Sequence, residues 1–571
     1  MAIGRLTPAG QLLLALGLGL SQLASAHPTT YPGSNSTDAK LGAVASESAV
    51  CSNVGIKLLE QGGNAIDAMV GTTFCVGVVG MYHSDIGGGG FALVKSPNGT
   101  YECVDFRETA AASYYETMYV NNTNLSLYGG LAAGVPGELR GLEYMHDKYG
   151  SLPWKTVMQP AIDIARNGFE VTADTVRYIA SISNPEFLTQ DPSWAVDFAP
   201  NGTIVQLGQT MTRKRYANTL ETISNEGAAA FYEGAIANAT INALQASGGT
   251  MTLEDLANYT IAIRDAVAIN YRGYKATACS APSGGEVALS ILNIINGYDG
   301  FGDPAQINLT THRLDEAFRW SYGLRVNLGD PSFVPNLTEY QANMLSEETA
   351  AEIRSKISDT RTFNASFYNP SNTEILSDNG TSHIAAADKS GLTVSITTTI
   401  NTIFGSRVMV PETGLILNNE MNDFSTPGST NAFGYEPSEA NFIRPGKRPL
   451  SSISPTILEY PGGGLFFISG SAGGSRIISA TAQIIHNALD RNMSAAEALA
   501  EPRLHDQLSP NVVSFEYAFD NSTTAFMASL GHTAQWVAPG SSTAQAIRRL
   551  PNGTFDAAGE PRLFASGGFA I

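Results

Sequence analysis

Apolar and polar positions follow two different rhythms along this chain, and the rhythm changes near residue 380. Over residues 57–79 the apolar positions recur at helical spacing, broken at Gly62-Gly63-Asn64 before Ala65-Ile66-Asp67-Ala68. Gly87-Gly88-Gly89-Gly90 reads as a loop, followed by strands over 91–95 and 101–106 around a Pro97-Asn98-Gly99 turn. From about 110 to 360 the pattern predicts amphipathic helices joined by short loops, among them 139–149 and 311–328. Residues 366–382 are polar and rich in turn formers. Beyond them come a strand over 383–387, a Lys389-Ser390-Gly391 turn, then a strand over 392–400 with alternating side chains. A second hairpin is predicted at 456–460 and 465–469, across Pro461-Gly462-Gly463-Gly464. Gly470-Ser471-Ala472-Gly473-Gly474 then opens a helix over about 475–489. Helix, sheet, sheet, helix is the layering that such material packs into.

Composition narrows the class. The chain has 571 residues, 43% of them apolar and 15% charged, which excludes a disordered protein and leaves ample material for a large core. With 52 acidic against 33 basic residues the net charge is −19, which argues against nucleic acid as a partner. Arg5, the apolar run 12–20 and Ala24-Ser25-Ala26 read as a leader of residues 1–26, cut before His27. The apolar run is too short to span a bilayer, so no permanent membrane anchor is expected.

Sequons agree with passage through a secretory pathway. They occur at Asn35, Asn98, Asn121, Asn124, Asn201, Asn238, Asn258, Asn308, Asn336, Asn364, Asn379, Asn492, Asn521 and Asn552. All but Asn35 and Asn379 are expected glycan sites. Cysteine is sparse: Cys51, Cys75, Cys103 and Cys279 permit two disulfides in three connectivities, or buried free thiols at Cys103 and Cys279.

The common hydrolytic signatures are missing. There is no GxxxxGK[ST], no HExxH, no His pair close in sequence that would suggest zinc, and no GxSxG elbow. The break near 380 offers another nucleophile. In Asn379-Gly380-Thr381-Ser382-His383, a cut before Thr381 would give that residue a free α-amine beside its own hydroxyl. Such an amine has a pKa near 7.7–8.0 and serves as a built-in general base. Gly380 leaves the preceding carbonyl open to attack. Thr381 is also the Thr of the Asn379 sequon, and a glycan there would crowd that step, so this sequon is expected to be unused.

The surroundings of Thr381 resemble the γ-glutamyltranspeptidase (glutathione hydrolase) family. The resemblance is carried by Thr399-Ile400-Asn401-Thr402-Ile403-Phe404-Gly405-Ser406 and Leu417-Asn418-Asn419-Glu420-Met421-Asn422-Asp423-Phe424-Ser425. It continues in Arg448-Pro449-Leu450-Ser451-Ser452-Ile453-Ser454-Pro455-Thr456, Gly470-Ser471-Ala472-Gly473-Gly474-Ser475-Arg476 and Pro502-Arg503-Leu504-His505. Upstream it includes Gly62–Ala68, Gly87–Gly90, Asp105-Phe106-Arg107-Glu108, Gly134-Val135-Pro136-Gly137 and Pro282-Ser283-Gly284-Gly285. It extends from about residue 40 to the C-terminus.

The resemblance implies an N-terminal-nucleophile hydrolase with a four-layer αββα sandwich formed jointly by two subunits. A precursor would cut itself at Gly380-Thr381 into a large subunit, 27–380, and a small one, 381–571, that stay together. Thr381 would attack the γ-carbonyl of glutathione or a glutathione conjugate. The resulting ester would pass to water, an amino acid or a dipeptide, with no cofactor or metal. By the same resemblance Thr399 orients Thr381, and the Gly473 and Gly474 amides receive the developing oxyanion. Arg107, Ser451 and Ser452 would hold the substrate α-carboxylate. Asn401, Glu420 and Asp423 would accept from its α-ammonium. Cys51–Cys75 matches a disulfide of some relatives, and Phe433 lies in a lid where some relatives carry Tyr.

Three other readings of Arg107, Glu420 and Asp423 stand beside this one. Arg107 could be a surface ion pair with Asp105 or Glu108, and Glu420 and Asp423 a solvated acidic turn. The chain could be a β-lactam or glutaryl acylase, which has no need of ammonium acceptors. It could be a non-catalytic secreted glycoprotein, although every residue of the catalytic pattern is present.

Overall fold

The computed structural model describes residues 39–371, 373, 380–428 and 436–571. The expected leader, Asn35, Asn379 and the lid residue Phe433 lie outside the described residues.

Two large sheets form the framework. In chain order their strands are β1 (Gly42–Ser46), β2 (Gly89–Lys95), β3 (Tyr101–Asp105), β4 (Ala262–Arg264), β5 (Ala266–Tyr271), β6 (Tyr274–Cys279) and β7 (Ser382–Asp388). They continue with β8 (Thr393–Thr399), β9 (Thr456–Glu459), β10 (Leu465–Ala472), β11 (Thr543–Arg549), β12 (Phe555–Ala558) and β13 (Gly567–Ala570). The first sheet runs β13-β1-β7-β8-β2-β3-β4 and the second β12-β11-β10-β9-β6-β5. Strands from both sides of residue 380 therefore interleave in each sheet. Neither half of the chain could complete a sheet alone.

Helices cover the outer faces. α1 (Ala49–Glu60) and α2 (Ala65–Val79) pack on the first sheet, and α3 (Gly285–Asn296) and α5 (Arg476–Asp490) on the second, with α4 (Ile307–Arg325) against α3. The break at Gly62-Gly63-Asn64 has a physical cause. Asn64 caps α2 by accepting from the Ile66 and Asp67 amides, while the Asp67 side chain accepts from the Asn64 amide.

Each helix layer makes its own apolar core with its sheet, and a third core lies between the sheets. That inner core sets small Ala43, Ala45, Ala385 and Ala387 with Ile457, Ile468 and Ile547. This is the αββα order that the sequence implied. Two disulfides fix it: Cys51–Cys75 ties α1 to α2, and Cys103–Cys279 ties β3 of one sheet to β6 of the other. The second pairing settles what cysteine counting left open.

The helical reading of residues 110–360 needs correction, because β4, β5 and β6 lie within it. β5 and β6 form a hairpin whose turn, Arg272-Gly273, has φ of +53° and +85°. Two left-handed turn residues suit a tight hairpin, but Arg in place of Asn or Asp hides the usual signal. Gly89 and Gly90 also belong to β2 rather than to a loop, and Gly470 to Ala472 end β10 before α5 begins.

Among the described residues no helix is long and apolar enough to cross a membrane. The sequon residues Asn98, Asn121, Asn124, Asn201, Asn238, Asn258, Asn336, Asn364, Asn492, Asn521 and Asn552 are exposed. Asn308 is half-buried, and its Oδ1 accepts from Thr523 Oγ1 at 2.7 Å.

Candidate active site

Thr381 sits immediately before β7, buried, with φ of +93°. A β-branched residue in the left-handed region is strained, and such strain collects at reacting bonds. The β7–β8 register sets Thr398 opposite Ser382, which brings Thr399 across from Thr381. The Thr381 hydroxyl donates to Thr399 Oγ1 at 3.3 Å, and Thr399 Oγ1 also accepts from the Asn401 amide at 2.7 Å.

The residue before the nucleophile must be glycine. Gly380 has φ of +124°, and a Cβ there would lie 1.7 Å from the Asn401 carbonyl oxygen. Its own carbonyl accepts from the Gly473 amide at 3.0 Å. Gly473 and Gly474 occupy the turn between β10 and α5, both at positive φ. The amide expected to stabilise an oxyanion thus already touches the carbonyl of the Gly380–Thr381 bond.

The polar face behind Thr399 is neutral in character. His383 is buried with Nδ1 2.9 Å from Thr397 Oγ1, and burial pushes its pKa down to about 3. Thr398 donates to Glu138, whose carboxyl is pushed well up by burial and then partly restrained by that hydrogen bond. Gly88 and Gly90 let β2 approach β8 closely, since a Cβ on either would lie 2.0 Å from the carbonyl oxygen of Thr399 or Thr397. These glycines serve contact between strands; they are not a surface for substrate.

Arg107 follows β3 and is 1% exposed, which excludes a surface ion pair. Its guanidinium pairs with both Glu420 and Asp423. Those acids are buried too, so they are no solvated turn. Asp105, the neighbour in sequence, is occupied elsewhere: its carboxylate lies 2.9 Å from Arg264 and 3.2 Å from Arg448. The cation and two of the acceptors assigned to opposite ends of a zwitterion are therefore paired with each other. An α-amino acid head can enter by exchange, its carboxylate replacing the acids at Arg107 and its ammonium replacing Arg107 at the acids.

Beside this pair is Glu108, with Oε2 4.0 Å from Arg107 Nη1. Burial raises its carboxyl to about 8, against the pull of Arg107.

Hydrogen bonds join the two ends of the site. Asn401 Nδ2 donates to the Asn419 carbonyl at 3.0 Å, which leads into Glu420 and Asp423. Asn418 gathers three motifs: it donates to the Gly87 and Gly134 carbonyls, and its Oδ1 accepts from the Gly134 and Glu420 amides. Asn441 donates to the Asp423 carbonyl at 2.7 Å and accepts from the Leu450 amide at 2.9 Å.

Ser451 and Ser452 follow, both buried. The Ser451 hydroxyl accepts from the Ile453 amide and its own amide donates to the Pro282 carbonyl. Ser452 Oγ accepts from Arg325 Nη2 at 3.2 Å. Ser283-Gly284 supports this loop, with Ser283 Oγ donating to the Ile453 carbonyl at 2.6 Å. Asn418, Asn441 and Arg325 received no role from sequence. Asn418 lies inside a motif quoted above, whereas Arg325 and Asn441 give no local signal.

Comparison with known proteins agrees with this geometry. The sequence model described as Gamma-glutamyltranspeptidase matches residues 51–567. A glutathione hydrolase proenzyme of Arthroderma benhamiae is 54% identical, over 94% of this chain and 93% of its own. A glutathione hydrolase of Aspergillus flavus is 52% identical, over 93% of this chain and 89% of its own. Among solved structures, a cephalosporin acylase from Bacillus halodurans superposes with a TM-score of 0.81, covering 96% of this chain and 99% of that one at 27% identity.

Proposed function

The chain belongs to the γ-glutamyltranspeptidase family, and from that premise we propose how its own residues carry the activity. The protein is an enzyme, a γ-glutamyltransferase and glutathione hydrolase. Its substrates are proposed to be glutathione and glutathione S-conjugates as donors, with water, amino acids or dipeptides as acceptors.

Maturation comes first. Thr381 Oγ attacks the Gly380 carbonyl carbon, and the Gly473 amide receives the oxyanion. The peptide C–N bond breaks as the Thr381 nitrogen takes up a proton. Water then hydrolyses the Gly380 ester, leaving a carboxylate on 27–380 and a free amine on Thr381. Relief of the left-handed conformation at Thr381 favours the forward step.

Turnover repeats this chemistry on substrate. The freed amine accepts the proton of Thr381 Oγ as that oxygen adds to the donor γ-carbonyl, and Gly473 and Gly474 hold the oxyanion. The peptide amine leaves with a proton, and the γ-glutamyl ester is released to water or to an acceptor amine. Arg107, Ser451 and Ser452 fix the donor carboxylate, and Asn401, Glu420 and Asp423 its ammonium, so the γ-carbonyl and not the α-carbonyl meets Thr381. The same acids favour a γ-glutamyl donor over the side chain of an acylase substrate.

The observation that carries this reading is the Gly473 amide on the Gly380 carbonyl, 3.0 Å away, beside a strained Thr381. A reducing gel of the purified protein tests it. Two bands are expected, the smaller beginning Thr-Ser-His by N-terminal sequencing. One persistent band in active protein overturns it. The leader at 1–26, the even cysteine count and the exposed sequons support secretion as an N-glycosylated heterodimer, with medium, wall and vacuole all compatible.

A further inference from the structure

Far along the chain from Thr381, α4 presents His312, Asp315 and Glu316 to His532, which follows the helix Asn521–Ser529. The ligand atoms of His312, Glu316 and His532 all lie within 4.8 Å of one another, and all three residues are buried. No sequence pattern announces this group, since 220 residues separate the two histidines.

The hydrogen-bond accounting is what makes the group unusual. His312 Nε2 lies 2.8 Å from the Ser358 carbonyl oxygen, so that nitrogen carries the hydrogen. His532 Nδ1 and both oxygens of Asp315, the nearer 2.9 Å away, are buried without a hydrogen-bond partner. A neutral imidazole has a single N–H. His312 Nδ1 therefore turns its lone pair toward His532 Nε2 across 2.8 Å. Either the His532 N–H or a cation can occupy that gap.

An N–H has no use for a third donor, whereas a metal ion does. Glu316 supplies one, its carboxylate held in place by Thr362 Oγ1 at 2.6 Å and by Tyr368 Oη at 2.9 and 2.7 Å. The contact of His312 Nε2 with the Ser358 carbonyl also matches what orients metal-bound histidine.

We propose that His312, His532 and Glu316 bind a single divalent transition-metal ion, with zinc fitting two imidazoles and a carboxylate best. Tetrahedral coordination at Zn–N of 2.0–2.1 Å needs the facing nitrogens roughly 3.3 Å apart, an opening of about half an ångström. The Ser358 carbonyl acts as a positioning group for the His312 ring. His312 and Glu316 precede residue 380 and His532 follows it. If the chain is cut as proposed above, the ion also clasps the two subunits together.

The test uses the full-length protein purified without chelator, with metal content measured before and after incubation with ZnCl2 or MgCl2 and desalting. About one zinc per chain is expected, falling to about a tenth in His532→Gln and in Glu316→Gln, with glutathione hydrolysis retained. Chelation should lower the melting temperature of the wild type by roughly 5 °C, restored by Zn2+ and not by Mg2+. Metal content is read whether or not the chain is cleaved, so its outcome is independent of the processing proposal. Less than about a tenth of an equivalent of any transition metal after zinc loading, with no thermal shift, overturns the proposal and leaves an N–H···N hydrogen bond between the imidazoles.

Discussion

Around Thr381 the groups that bear on the reaction are hydroxyls and backbone: Thr399 Oγ1, the Gly473 amide, and a Gly380-Thr381 pair at φ of +124° and +93°. Around Arg107 they are charged side chains packed out of water, with Glu420, Asp423 and Glu108 about one guanidinium. The first region acts by conformation, because its donors and its strain exist before substrate arrives. In the proposed function the second acts by exchange, because its charges neutralise one another until a zwitterion divides them. Damage to the first should therefore stop chemistry, while damage to the second should weaken binding and leave maturation intact.

The largest effects are expected at the conformational end. Thr381→Ala should remain a single chain and lose about three or more orders of magnitude in kcat. Thr381→Ser should still mature, since the hydroxyl and amine persist. Gly380→Ala is the sharper probe, because it leaves the nucleophile untouched. Its Cβ would fall 1.7 Å from the Asn401 carbonyl oxygen, so the turn must open and move the carbonyl off Gly473. Cleavage followed on reducing gels should slow by roughly 100-fold or more. Normal cleavage in that variant would break the comparison at its first term.

The recognition end should respond differently. Arg107→Lys keeps a charge but loses the planar two-nitrogen contact that now spans Glu420 and Asp423. The chain should still cut itself, and kcat/KM for glutathione should fall by about 100-fold, mostly through KM. An uncleaved Arg107→Lys chain would show that the two regions are not separable. Asn441→Ala removes the link between the Asp423 carbonyl and the Leu450 amide. Here KM should rise by about 5-fold to 10-fold, with maturation unchanged.

What could be read from sequence divides along the same line. The hairpin of β7 and β8 was legible because residues 392–397 alternate and the turn is Lys389-Ser390-Gly391. Thr381 was singled out because a polar, turn-rich sequence gives way to a predicted strand there and because its surroundings resemble the family. The mutual pairing of Arg107 with Glu420 and Asp423 was not, since more than 300 residues separate them and only the interleaved sheets bring them together. Asn418 and Asn441 act through backbone groups of distant loops, and no local pattern encodes such contacts. The same holds for His312 and His532, where sequence spacing argued against a pair that the fold assembles.

Glu108 gives the smallest expected effect and the most specific one. Burial holds its carboxyl neutral up to about pH 8, where an ordinary glutamate is ionised from about 4.3. Above pH 8 it adds a third negative charge 4.0 Å from Arg107, which competes with a substrate carboxylate for the same guanidinium. KM for glutathione should then rise by about 3-fold between pH 7.5 and 9 beyond what Glu108→Gln shows. The donor's own ammonium titrates in both proteins, so the difference between the two profiles isolates Glu108. Stability supplies an independent sign. The folded protein holds this proton more tightly than the unfolded chain does, so its contribution is present below the unfolded pKa and is lost as pH rises toward 8. Glu108→Gln should therefore gain melting temperature relative to wild type at pH 8.5 and little or none at pH 5. A gain of equal size at both values would show that Glu108 is already ionised beside Arg107, and that the recognition end carries its third charge throughout.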